Sequence, residues 1–194
     1  MSQTVEVPLR PLHIVATRTD AAAEALLRRH FHAPDARPTS WQDVSVASLT
    51  PYHRCLMMTD GTITRTLEAY TFESVEARCV EQYETTAADD RGGWLRAAPE
   101  DRMLVRHVDL VGERSGIRYA HAESHIAVDR LPKTFHAALA SESAGIGAAL
   151  QAASAESYRQ LLFYGRTFDS VCARRYRIFV RKRPALVITE RFLR

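Results

Sequence analysis

Two charged residues lie on strand faces that are otherwise apolar, and they constrain this chain more than any other feature. Residues 104–110 and 186–192 both alternate with a period of two, the pattern of β-strands in which residues two apart share a face. Arg106 then shares its face with Leu104, Val108 and Leu110, and Glu190 shares its face with Leu186, Ile188 and Phe192. A guanidinium or a carboxylate on a core-facing side is costly unless it meets a partner or a ligand. Two readings stand. Arg106 and Glu190 form a buried structural ion pair, or they face a ligand.

The ligand reading has a definite chemistry. Desolvation favours the neutral form of a carboxylic acid, so a glutamate in an apolar pocket can hold or receive a proton near neutral pH. Arginine presents a planar fork that matches a carboxylate in bidentate fashion. Gly145-Ile146-Gly147, ahead of a predicted helix, offers either exposed backbone N–H groups for an anionic oxygen or simply a flexible loop. His121, Glu123 and His125 share one strand face and raise the question of a metal. At about 7 Å between alternate residues, three ligands on one strand reach a single ion only with distortion, so a solvated outer face is the better reading.

The remaining pattern predicts an α+β fold. A helix is expected over 20–30 with Asp20 as its N-cap, followed by a polar loop from His32 to about Ser40. Pro51 suits the first position of a short helix ending near Met58. After the break at Asp60-Gly61, residues 62–71 and 75–83 read as β-type runs, and a loop over 89–93 leads to the Arg106 strand. Residues 113–116 carry a hairpin turn, with a second arm over 119–128. Helices over 134–140 and 148–163 precede strands over 175–180 and 185–192. Hairpins with inserted helices, not β-α-β alternation, imply an α+β fold on an antiparallel sheet.

At 194 residues the chain reads as one domain, 1–194, able to bury a core without metal or disulfide help. A net charge of +3 from interspersed charges argues against nucleic acid as a partner. The basic run from Arg174 to Arg183 alternates, with Tyr176, Ile178 and Val180 on one face and Arg175, Arg177 and Arg181 on a basic outer face. Cys55, Cys79 and Cys172 are odd in number and lack Cys-x-x-Cys spacing, which favours free thiols in a reducing cytoplasm. Residues 1–17 lack a signal-peptide pattern, and no stretch approaches the ~20 apolar residues of a membrane span. Nucleotide-binding loops, nucleophile elbows and zinc-protease motifs are absent from the sequence, so a cofactor-free reaction or pure ligand binding is expected.

Five segments in order carry a resemblance: residues 48–70 (Ser48-Leu-Thr-Pro-Tyr through Asp60-Gly-Thr-Ile-Thr to Tyr70), Val105-Arg106-His-Val-Asp-Leu, Tyr119-Ala-His-Ala-Glu-Ser124, Asp129-Arg-Leu-Pro132 and Ile188-Thr-Glu190-Arg-Phe. From about residue 45 to the C-terminus the chain resembles the chorismate–pyruvate lyase family, in its actinobacterial and cyanobacterial branch. The resemblance implies a single antiparallel sheet of about six strands with helices covering a closed internal pocket, a fold similar to the effector-binding domain of some transcription repressors, and no metal or organic cofactor. It implies conversion of chorismate, the small-molecule substrate, to 4-hydroxybenzoate and pyruvate. The carboxylate-binding arginine falls on Arg106 and the catalytic glutamate on Glu190. Backbone contact falls on Ile146 and an apolar pocket contact on Ile63. His107 and Asp109 are more polar than the family pattern, which leaves room for a related enol ether as substrate. A non-catalytic aromatic-acid binding module of the same fold is the alternative.

Overall fold

The computed structural model describes residues 20–89, 92–140 and 145–193. The leader-free reading of residues 1–17 and the positions Asp90 and Arg91 of the predicted loop lie outside the described residues. Elements follow in the order α1 (Asp20–Arg28), α2 (Pro51–Met58), α3 (Ile63–Thr71), β1 (Val75–Thr86), β2 (Arg102–Gly112), β3 (Arg118–Ala127), α4 (Lys133–Leu139), α5 (Ile146–Ala152), β4 (Ser157–Gly165), β5 (Cys172–Val180) and β6 (Arg183–Phe192). The six strands form one antiparallel sheet in the order β1-β2-β3-β6-β5-β4. The fold is α+β, as the pattern of hairpins and inserted helices implies.

Local chemistry explains the helix starts. Thr50 caps α2 by accepting the backbone N–H of His53 at 3.2 Å, and Pro51 occupies the first turn, where its missing N–H costs nothing. Residues 62–71, expected as a strand, are instead the helix α3. The alternating threonines suggest period two, yet the two buried apolar residues, Ile63 and Leu67, are four apart and make one helical stripe. Phe72, in the left-handed region at φ 55°, ends the helix, and the Glu68 carboxylate accepts the first strand N–H, from Val75, at 3.1 Å.

The second correction concerns residues 148–163. The helix α5 starts earlier, at Ile146, and stops at Ala152; Ser154 adopts φ 46°, and the chain re-emerges as β4. Residues 161–164 (Leu-Leu-Phe-Tyr) are bulky and apolar on both sides, which suits a strand buried on both faces.

Helices pack on one face of the sheet. Leu56, Met57, Leu67, Phe135, Leu139 and Leu150 meet Leu110, Ile126, Ile178, Leu186, Ile188 and Phe192 in a single apolar core. The opposite face is partly covered by the β1–β2 connection, where Leu95 joins Met103, Ala127 and Val187. That cover corrects the picture of a basic outer face on β5. Arg177 is buried, with Nε donating to Gln160 Oε1 at 2.8 Å and Nη1 to the Trp94 carbonyl at 3.1 Å. Among the described residues, no helix is long and apolar enough to cross a membrane.

Glu73 pins the β2–β3 hairpin to the end of α3. Its carboxylate accepts from Tyr119 Oη at 2.6 Å, Ser115 Oγ at 2.8 Å and the Ser115 and Arg114 backbone N–H groups at 2.9 and 3.2 Å. These donors, Tyr119 first, hold it down at about 2. Gly112 permits the approach, because a Cβ there would collide with the Glu73 carboxylate.

Candidate active site

Sheet register sets out the site. Residues directly opposite one another form transverse rows on the helix-covered face. One row runs Arg106, Ser124, Ile188, Tyr176, Leu161; the next runs Val108, Ala122, Glu190, Arg174. Arg106 on β2 and Glu190 on β6 are therefore separated by strand β3 and by one row. With about 4.8 Å between strands and about 7 Å between rows, their backbones lie roughly 12 Å apart. Among the described residues Glu190 pairs with Arg174 and not with Arg106, and there is room between Arg106 and Glu190.

The room is a small pocket with about 60 Å³ of free space inside it. Arg106, Glu190, Ile63 and Ile146 all line it, so the four residues singled out in the sequence converge. The sheet supplies its floor through Val108, Ala122, Ser124, Tyr176 and Ile188. Ile63 and Ile146 are the first residues of α3 and α5, whose starts meet over the pocket. The meeting is close: a Cβ on Gly147 would stand 2.7 Å from Thr62 Oγ1.

Arg106 is 2% exposed. Its Nη1 donates to the Leu139 carbonyl at 3.2 Å, and its Nε is enclosed without a hydrogen-bond partner among the described residues. No carboxylate among the described residues pairs with it. A buried, incompletely satisfied guanidinium beside a cavity has the donors to receive an anion.

Glu190 is 5% exposed and is held from two sides. Arg174 Nε donates to Oε2 at 2.8 Å, and Tyr176 Oη donates to Oε1 at 2.9 Å. Arg174 is fully buried, with its guanidinium 4.9 Å from the Tyr176 ring centroid. Its Nη1 donates to the carbonyls of Met57 and Thr59 at 3.3 and 2.5 Å, tying Glu190 to the end of α2. Burial, and secondly the Glu190 charge, push the Tyr176 hydroxyl far up, so it remains a donor at every physiological pH.

The ion-pair reading thus names the wrong cation. Arg174 sits directly opposite Glu190 across β5 and β6, and sequence reasoning misses it. A signal is present, since Arg174 shares its strand parity with Tyr176, Ile178 and Val180. Cys172, on the same face, is no nucleophile near neutrality, because burial pushes its thiol up to about 12.

His121, Glu123 and His125 do not converge. His121 Nδ1 bonds to Asp109 Oδ1 at 2.8 Å, while Glu123 takes His125 Nε2 at 3.0 Å and Arg191 Nη2 at 3.1 Å. Among the described residues no group of three or more His, Cys, Asp or Glu is placed to hold a metal ion. The polar departures His107 and Asp109 lie on this outer face, away from the pocket.

An antiparallel sheet with helices over one face and a charged pocket between them defines the class: an α+β protein with its candidate site between sheet and helices. The same fold occurs in PhnF from Mycobacterium smegmatis, with a TM-score of 0.53 at 11% identity over 81% of this chain and 68% of that one. Its effector domain alone aligns with a TM-score of 0.50 at 12% identity, covering 69% of this chain and 88% of that one. The family model described as "Chorismate pyruvate-lyase Rv2949c-like" matches residues 57–194. The chain belongs to that family. A Mycobacterium leprae protein named chorismate pyruvate-lyase is 31% identical over 156 residues, 73% of each chain. One of the same name from Mycobacterium tuberculosis H37Rv is 27% identical over 168 residues, covering 78% of this chain and 84% of the relative.

Proposed function

We propose that the protein is a cofactor-independent lyase that converts chorismate to 4-hydroxybenzoate and pyruvate. The observation that carries this reading is the pocket bounded by Arg106, with an N–H that has no partner among the described residues, and by Glu190, held by Arg174 and Tyr176. Family membership and the names of the relatives support the same reaction.

Arg106 binds the ring carboxylate of chorismate and fixes the ring over the apolar floor. Glu190 accepts hydrogen bonds from both its neighbours, an arrangement that suits a carboxylate acting as proton acceptor. It takes the proton from ring carbon C4. That C–H electron pair completes the aromatic ring as the bond from C3 to the ether oxygen breaks. The departing oxygen keeps the bonding pair and takes up a proton, giving enolpyruvate, which tautomerises to pyruvate. Aromatisation supplies the driving force, so binding, orientation and one proton-transfer group suffice. Ile63 and Ile146 exclude water from above.

Purified protein, dialysed against EDTA and mixed with chorismate, should release pyruvate and 4-hydroxybenzoate in equal amounts, read with a coupled dehydrogenase and by chromatography. Tight retention of 4-hydroxybenzoate with no pyruvate formed would make the protein a binding module. Activity lost on EDTA treatment and restored by zinc or magnesium would overturn the cofactor-free mechanism.

A further inference from the structure

The pocket carries a second arginine that the proposed reaction has not used. Arg159 on β4 lines the same pocket as Arg106 and Glu190. Its Nη1 donates to the Asp60 carbonyl at 2.7 Å, which fixes the side chain, and its Nε is enclosed with no hydrogen-bond partner among the described residues. It also borders the adjoining surface cleft, with Thr62 and Gly147, so it stands where the pocket opens.

The order of strands gives this placement a meaning. Arg106 is on β2, Glu190 on β6 and Arg159 on β4, in a sheet ordered β1-β2-β3-β6-β5-β4. Arg159 lies opposite Ile178 and so in the row of Leu186, one row from Arg106 and two from Glu190. Across four strand spacings and one row the two arginine backbones are about 20 Å apart, with Glu190 on the strand between them but to one side of the line that joins them. Two arginine side chains of roughly 6 Å each at ordinary bond lengths bridge most of that span. What remains between the guanidinium groups suits a small molecule with an acid group at either end, flanked by Glu190 in the same pocket. Charge agrees with the geometry. Arg106, Arg159 and the Arg174–Glu190 pair leave two positive charges uncompensated among these four residues, which matches a dianion.

We propose that Arg159 binds the second carboxylate of a dicarboxylate ligand, the one carried by the enol ether side chain, and that the pocket thereby prefers diacids to aromatic monoacids. The assignment rests on the lyase reading of the site for the identity of that side chain. It makes Arg159 a specificity-determining residue. Once the ether bond breaks, the two carboxylates belong to separate molecules, and the ring product holds only the Arg106 end.

Calorimetry with two probes at fixed ionic strength tests this. One probe is 3-[(1-carboxyvinyl)oxy]benzoate, a diacid enol ether that cannot aromatise further and so does not react; the other is 4-hydroxybenzoate. The wild-type protein should bind the diacid more tightly. Arg159→Gln should weaken the diacid by about 10-fold or more, the scale of a hydrogen bond to a charged group, and leave 4-hydroxybenzoate within about two-fold. Equal losses for both probes, or no loss for either, would overturn the assignment. If Arg159→Gln does not fold, Arg159→Lys decides, because it keeps the charge and lacks the fork; diacid affinity must still fall selectively. Pyruvate release from chorismate by the wild type is measured in parallel. Its absence removes the lyase reading while the diacid preference still tests Arg159, and pyruvate release with unchanged diacid affinity in the variant removes only the Arg159 assignment.

Discussion

Replacing Glu190 by glutamine separates proton transfer from binding. The amide oxygen still accepts from Arg174 Nε, and the Tyr176 hydroxyl can turn to accept from the new NH₂ group, so the pocket keeps its shape. Glu190→Gln should retain 4-hydroxybenzoate while pyruvate release falls by about 10²-fold or more, the usual scale for a lost general acid or base. Near wild-type turnover would leave Glu190 with a structural role. In the proposed reaction Arg174 acts through Glu190, as a positioning residue. Arg174→Lys keeps a positive charge but cannot serve Glu190, Met57 and Thr59 in one plane, so kcat should fall with KM little changed. A Glu190→Gln background should then show no further loss in kcat, a coupling that a merely structural arginine would not produce. Arg106 and Glu190 are legible in the sequence, because strand parity alone puts a charge among Leu, Val and Ile. Arg174 obeys the same parity. Its signal is submerged in a run with Arg175, Arg177 and Arg181, where the density of arginines suggests a solvated face, and only the β5–β6 register sets it opposite Glu190.

The elements are legible in proportion to how far their own residues decide them. Strands β2, β3 and β6 carry long alternating patterns, and α2 carries a threonine cap and a proline. The helix α3 and strand β4 escape their sequence patterns because each is decided by what packs on it: Ile63 and Leu67 by the core beneath, Leu161 and Phe163 by pairing with β5. The starts of α3 and α5 depend on one such contact. Gly147→Ala forces a methyl group against the Thr62 side chain, and overpacking of that kind costs about 1–3 kcal/mol. The helices should part before the sheet yields. Ligand dissociation measured by stopped flow should accelerate, and the urea midpoint should fall by roughly 0.5–1.5 M at a slope of about 2 kcal/mol/M; unchanged release would show that α3 and α5 do not close the pocket. On the outer face, Glu123 lies opposite His107 and Thr189 and bonds to His125 and Arg191. The hydrogen bond from His125, followed by Arg191, holds its carboxyl down at about 2 against burial. Its folded value lies below the ordinary 4.5, so the stability it contributes is full above about pH 4.5 and fades as pH falls toward 2. The difference in urea midpoint between wild type and Glu123→Gln should therefore be constant from pH 7 to 5 and close on further acidification. A difference that grows with acid would reverse the assignment.

Ligand binding should reach the stability of the whole described fold, because the pocket is walled by the core itself. Val108, Ala122 and Ile188 of the sheet face Ile63 and Ile146 of the helices across it, and Arg106 bonds to the last residue of α4. Arg106 Nε has no partner among the described residues, and its charge is buried among apolar groups, an arrangement that costs stability unless an anion pairs with it. A ligand that supplies the missing carboxylate binds the folded chain and not the unfolded one. At one hundred times its dissociation constant it adds about 2.7 kcal/mol to stability. For a chain of this size that corresponds to a rise in Tm of about 5–10 °C. Scanning calorimetry with 4-hydroxybenzoate should show this rise, and benzamide, which has the ring but not the anion, should show little of it at the same concentration. Arg106→Ala should unfold at a temperature that does not respond to 4-hydroxybenzoate. Its own Tm in the absence of ligand decides between the two meanings of a buried arginine. If Arg106 is there to bind, removing it relieves an unsatisfied charge and leaves the ligand-free protein as stable as the wild type, or more so. A large loss of Tm in the ligand-free variant, with the 4-hydroxybenzoate response intact, would make Arg106 a structural residue and move the anion site elsewhere.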